Sequence, residues 1–190
     1  MTSRTAPVLS IAVAALLLTG CGIGAAPSLS ISPSPSAPPV ASYEEFATRL
    51  CRAFQALTRA VGNPDSGEGS EVSDALERAA TDRDPTAAAQ AAAQIIGELE
   101  IARDHAAAIA GWPPGAAVGQ NFDRLALAFQ AWAAAGVDQA RGVAASDPQQ
   151  AFEAAGGLQA WTGMLEGVRD AGSERPAGPP RECEGVPISL

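Results

Sequence analysis

Between residues 42 and 172 apolar positions recur every three or four residues and never alternate over a useful length. That period predicts helices and no strands. The first stripe runs through Tyr43, Phe46, Ala47, Leu50, Phe54, Leu57 and Val61. It opens on Ser42-Tyr43-Glu44-Glu45, a capping box with a hydroxyl at the N-cap and a carboxylate three residues on. Gly62-Asn63-Pro64 ends it, and the acidic stretch Asp65 to Ser70 reads as a flexible loop. A short helix follows from about Glu71 to Ala80, with Val72, Leu76 and Ala79 turned inward. Asp84-Pro85 pairs an N-cap carboxylate with proline at the first helical position. The helix it starts runs to about Ala110 through Ala92, Ile95, Ile96, Leu99, Ala106 and Ile109.

Trp112-Pro113-Pro114-Gly115 breaks the pattern. A second long stripe then carries Val118, Phe122, Leu125, Phe129, Trp132 and Ala133, with a helix expected past Gly136 to Ala144. Ser146-Asp147-Pro148 repeats the cap-and-proline device. It opens a last helix with Phe152, Ala155, Leu158, Trp161, Leu165 and Val168 on its apolar face, ending near Gly172. Four long amphipathic helices joined by short breaks predict an all-α fold. The arrangement expected is an antiparallel bundle of four main helices plus one short helix.

The flanks differ in kind from this domain. Met1 to Pro7 holds one base, Arg4, and no acid, and Val8 to Leu18 is a run of eleven mostly apolar residues. A membrane-spanning helix needs about 20 apolar residues, so residues 1–20 read as a secretory signal. Leu18-Thr19-Gly20-Cys21 follows directly: a branched apolar residue, two small residues, then cysteine. This resembles the lipobox of bacterial lipoproteins. The resemblance covers residues 1–21 only, and implies cleavage before Cys21 and a diacylglyceryl group on its sulfur. Several acyl chains on one residue anchor stably, whereas one chain binds marginally. The resemblance therefore places the chain on the extracytoplasmic face of the cell membrane.

Residues 21–41 continue as a Pro/Ser-rich tether, with five prolines and no charge from Gly22 to Ala41. Such a stretch cannot bury enough apolar surface to order itself. Its 20 residues span about 25 Å as flexible coil or about 60 Å as polyproline. At the other end, 173–190 reads as a Pro/Gly-rich coil tail. With Cys21 lipidated, Cys51 in the first helix and Cys183 in the tail remain. An even remainder in an oxidising compartment predicts a disulfide, pinning the tail across the helices.

Composition sharpens this picture by exclusion. Apolar residues make up 47% of the chain but aromatics only 5%, so alanine supplies much of the core. All 12 bases are arginine against 21 acids, a net charge of −9. Phosphate recognition needs clustered positive charge, so nucleic acid is not an expected partner. Adhesion to anionic lipid through charge alone is disfavoured for the same reason.

Motifs that carry chemistry are sparse. His105 is the only histidine, follows Asp104, and reads as a surface residue near the end of its helix. No HExxH or cysteine–histidine zinc spacing occurs, and no GxSxG elbow or phosphate-cradling glycine loop. No metal, cofactor or catalytic residue is expected. The acidic loop after Asn63 has the acid density of a calcium loop but lacks its ligand and glycine at the fifth and sixth positions.

Two features point to binding. Arg49, Arg52 and Arg59 fall opposite the first helix's apolar stripe, a basic strip able to dock an anionic partner. Trp112, beside two prolines, closes the core or lines a pocket, while Trp132 and Trp161 fall on core stripes. The function expected is a lipid-anchored, non-catalytic interaction module with an envelope protein as partner. A small-ligand binder with an apolar cavity near Trp112 is the alternative.

Overall fold

A computed structural model describes residues 40, 42–63, 68–143 and 147–172 of the chain. The lipobox with Cys21, most of the tether, and the tail with Cys183 lie outside the described residues. Six α-helices account for most of the rest: α1 (Tyr43–Val61), α2 (Glu71–Asp82), α3 (Pro85–Ala110), α4 (Ala116–Ala140), α5 (Pro148–Ala154) and α6 (Gly157–Ala171). A single 3-10 turn, Pro113–Gly115, links α3 to α4. Among the described residues the only β pairing is an isolated bridge, Asn63 with Glu68, at the rim of the acidic loop.

Side-chain caps set four of the helix starts. Ser42 Oγ accepts from Glu45 N at 3.2 Å, and Ser70 Oγ from Ser73 N at 3.0 Å. Asp84 Oδ1 accepts from Thr86 N and Ala87 N, and Asp147 Oδ1 from Gln150 N, each at 3.0 Å. Each satisfies a donor that the first helical turn leaves without an intrahelical partner. Ser70 also donates to Ala60 O at 2.9 Å, stitching the start of α2 to the end of α1.

Cross-helix contacts give the pairing directly. Arg59 meets Glu98 and Arg49 meets His105, so α1 and α3 run antiparallel. Gly119 lies against the Ala106 carbonyl and Ala110, and Arg103 pairs with Asp123 at 2.6 Å, folding α4 back along α3. A methyl group on Gly119 would collide with that backbone, so only glycine permits this approach. Helix α6 lies antiparallel to α4, Gly163 against Asn121 and Gly167 against Val118. Phe54 reaches from α1 to Phe122 and Trp161, with ring centroids 5.2 and 6.1 Å apart. The short α2 packs on α3 and α4, seating Leu76 against Gly136. The fold is all-α and bundle-like.

The interior is filled. Phe46, Leu50, Leu57, Leu76, Ile95, Leu99, Ile109, Phe122, Leu125 and Met164 are fully buried among alanines from five helices. Among the described residues no buried side-chain polar atom lacks a hydrogen-bond partner.

Several expectations from the sequence need correction. The helix expected to reach Ala144 stops at Ala140, because Gly142 adopts a left-handed φ of 78°. Val143 N then donates to Asp138 O and Gly142 N to Gln139 O, the double bond of a Schellman motif. The single last helix is two, α5 and α6, broken where Gly156 takes φ 80° and the Phe152 ring lies over Gly157. The break resets the register. Leu158 and Leu165, expected on the core face, are 54% and 40% exposed, while Ala160, Met164, Gly167 and Val168 face inward. Trp132 and Trp161 pack only partly against the core rather than within it. Val40, expected in the tether, is buried, and its N–H donates to Ala108 O at 3.3 Å.

Candidate functional site

Helix α1 is buried around more of its circumference than its stripe of large residues predicts. Ala53, Ala56 and Ala60 are all fully buried. Small side chains let another helix approach closely, and the neighbour here is α3. Arg49 shares an edge with those alanines and is therefore drawn half into the α1–α3 seam. Arg52 and Arg59 stay on the exposed side.

The three arginines do not form one strip of equivalent charges. Arg59 is neutralised by Glu98 of α3, its Nη2 2.9 Å and its Nε 2.9 Å from Oε2. Arg49 instead points Nη1 at His105 Nδ1, 3.4 Å away. Among the described residues neither Arg49 nor Arg52 has a carboxylate within ion-pairing distance. The seam thus holds the Arg49 guanidinium and the His105 imidazole, with exposed Arg52 close enough to act on the ring, in a chain that is otherwise strongly acidic.

His105 is half-buried at this seam rather than free on the surface. A guanidinium has donors only, so the ring nitrogen facing Arg49 accepts and the imidazole proton sits on Nε2. Burial pushes the His105 pKa below 6.5, and the positive charges of Arg49 and Arg52 push it further down. Asp104 pulls the other way and loses. Neutral imidazole is the form this environment favours.

Trp112 sits at one end of the helices, where α3 turns into α4. Its ring stacks at 5.0 Å on Phe46 and meets Tyr43 at 6.5 Å edge-on, with Gly115 pressed beneath it. It covers the end of the core. A cleft lies at the opposite end instead, around Trp132. About 700 Å³ in volume, it is lined by Leu76, Glu77, Trp132, Gly136, Gln139 and Asp147, among others. At its wall Gly136 makes room for Leu76, which packs where a side chain would stand.

Cys51 is 1% exposed on α1; its expected partner Cys183 lies outside the described residues. Among the described residues no group of three or more His, Cys, Asp or Glu side chains is placed to hold a metal ion. No helix there is long and apolar enough to cross a membrane.

Sequence reading found the arginines but missed what α3 does to them. His105 and Glu98 lie seven residues apart on α3, whereas the arginines they meet, Arg49 and Arg59, lie ten apart on α1, so spacing alone does not match them and only the helix pairing does. The described residues form an all-α fold with a charged seam between α1 and α3. No protein-family model, no curated protein and no solved structure matches the chain.

Proposed function

We propose that this chain is an exported lipoprotein, held by acylated Cys21 on the extracytoplasmic face of the membrane. Its helical domain acts as a non-catalytic interaction module for another envelope protein. In this reading α1, α3, α4 and α6 form an antiparallel four-helix bundle, supported by the opposed pairings of α1 with α3, α3 with α4 and α4 with α6. A Cys51–Cys183 bridge pins the tail across it.

One observation carries the binding reading. Arg49 and Arg52 stand one turn apart with no carboxylate partner among the described residues, although the chain has 21 acids and 12 bases. Six of the nine described arginines lack such a partner, and Arg49 and Arg52 are the two among them that act on the half-buried His105; that grouping favours a partner's acidic surface and steers it toward the seam. The filled core supports the same reading, since it leaves recognition to the exterior. Tethering adds local concentration without new contacts.

Crosslinking in intact host cells tests this. The Arg49→Glu/Arg52→Glu double variant is expected to lose a protein adduct that the parent and an Arg78→Glu control retain. Identical adducts in all three would refute the reading.

A small-ligand function has one specific feature in its favour, the cleft at Trp132. Its volume lies within the roughly 300–1,000 Å³ of ligand sites. Its rim is rich in amides and carboxylates, unlike the apolar cavity that reading expects near Trp112.

A further inference from the structure

We propose that the α1–α3 seam is a carboxylate-binding site in which Arg49 and Arg52 hold the anion and His105 adds a third charge as it binds. This deepens the interaction reading above and rests on it for the identity of the partner, an acidic protein segment.

Arg49 and His105 meet across the seam. Arg49 Nη1 has only hydrogens to offer, so its 3.4 Å contact to Nδ1 holds only while that nitrogen keeps its lone pair. Protonating His105 removes the acceptor and sets an imidazolium against a guanidinium. Arg49 must then turn away, and its donors become available. Arg52, one turn along the same helix, adds a second positive charge to the same locus. Three cations in one seam repel each other unless an anion enters.

A carboxylate supplies what the seam lacks. Its two oxygens match the forked donors of a guanidinium, and its charge offsets the arginine repulsion that adds to burial in keeping His105 neutral. The charged groups acting on the imidazole are few. Helix α1 contributes Arg49 and Arg52, and its own helix contributes Asp104. No titratable group of α2 or α4 among the described residues adds to them. Asp104 opposes the two arginines without cancelling them, so an incoming anion is needed to shift the balance.

The consequence is reciprocal coupling. If a bound carboxylate favours imidazolium, then protonation favours the bound carboxylate by the same factor. Affinity for an acidic segment should therefore rise as pH falls, while the segment's own carboxylates stay ionised down to roughly pH 5.

NMR on the full chain in neutral detergent tests the site, with a tetraglutamate peptide as probe. His105 ring signals report its titration with and without peptide. Saturating peptide is expected to raise the His105 pKa by about one unit, equivalent to as much as tenfold in affinity between high and low pH. His105→Gln should still bind the peptide but without that pH dependence. Arg49→Gln/Arg52→Gln should weaken binding at every pH and, without peptide, raise the His105 pKa. A merely structural role for the arginines would not move that titration. An unchanged His105 pKa on adding peptide, or undiminished binding by the double variant, would overturn the proposal. If the peptide behaves as expected while cellular adducts ignore the arginines, the site stands and the proposed partner reading falls.

Discussion

His105 is favoured as neutral imidazole in the folded chain because burial, then Arg49 and Arg52, disfavour its charge. The unfolded chain carries no such restraint and takes up a proton near pH 6.5. Where the unfolded state binds more protons, stability rises with pH. The contribution is therefore fully present above about pH 6.5 and is lost as pH falls toward the lowered folded value. Thermal melts from pH 8 to pH 5 should show that loss in the parent and a smaller loss in His105→Gln. Equal slopes would mean the histidine is not held as described. Arg59 gives a contrasting case. Its pair with Glu98 is largely solvent-exposed, and exposed pairs contribute about 0–1 kcal/mol. Glu98→Gln should shift the denaturation midpoint by no more than that.

Small residues decide how the helices meet. Helix α6 packs on α4 through Gly163 and Gly167, not through its leucines. Replacing exposed Leu158 and Leu165 together by Gln should change stability by under about 1 kcal/mol, as expected of surface sites. Met164→Ala, at a fully buried position, should cost about 2–5 kcal/mol. The opposite order in urea melts would restore the uninterrupted helix read from the sequence. The helix ends are equally specific. Arg83 sits at φ 57° in the left-handed turn after α2, where an L side chain is strained. Arg83→Gly should stabilise by about 0.5–1 kcal/mol, the relief of strain less the glycine's added unfolded-state freedom.

Those two cases show why some elements were legible and others were not. Asp84-Pro85, Asp147-Pro148 and Ser42 announce helix starts because a cap is a local bond between neighbours. Gly142 and Gly156 stop helices just as locally, yet glycine inside an alanine-rich run reads equally well as a tolerated interior residue. The seam was less legible still. Placing Arg49 against His105 requires knowing that α3 follows α1 antiparallel and in which register, and alanine contacts leave little trace in a hydrophobic pattern. The cleft at Trp132 is lined by Leu76 and Gly136, which meet across sixty residues, a contact no local pattern encodes.

At the scale of the whole molecule, the cysteines connect the helical domain to its flanks. A Cys51–Cys183 bridge would close a loop of about 130 residues, worth at most roughly 5 kcal/mol in the chain-entropy model. It presumes an oxidising compartment, and so does the tethered role of the arginine seam. Both would follow from the proposed export and anchoring at Cys21. Intact-mass analysis of the protein from its native host tests that claim directly. The expected result is a chain that begins at Cys21 and carries the mass of a diacylglyceryl group and its acyl chains. A chain that still includes residues 1–20, or one that starts at Cys21 with an unmodified thiol, would contradict it.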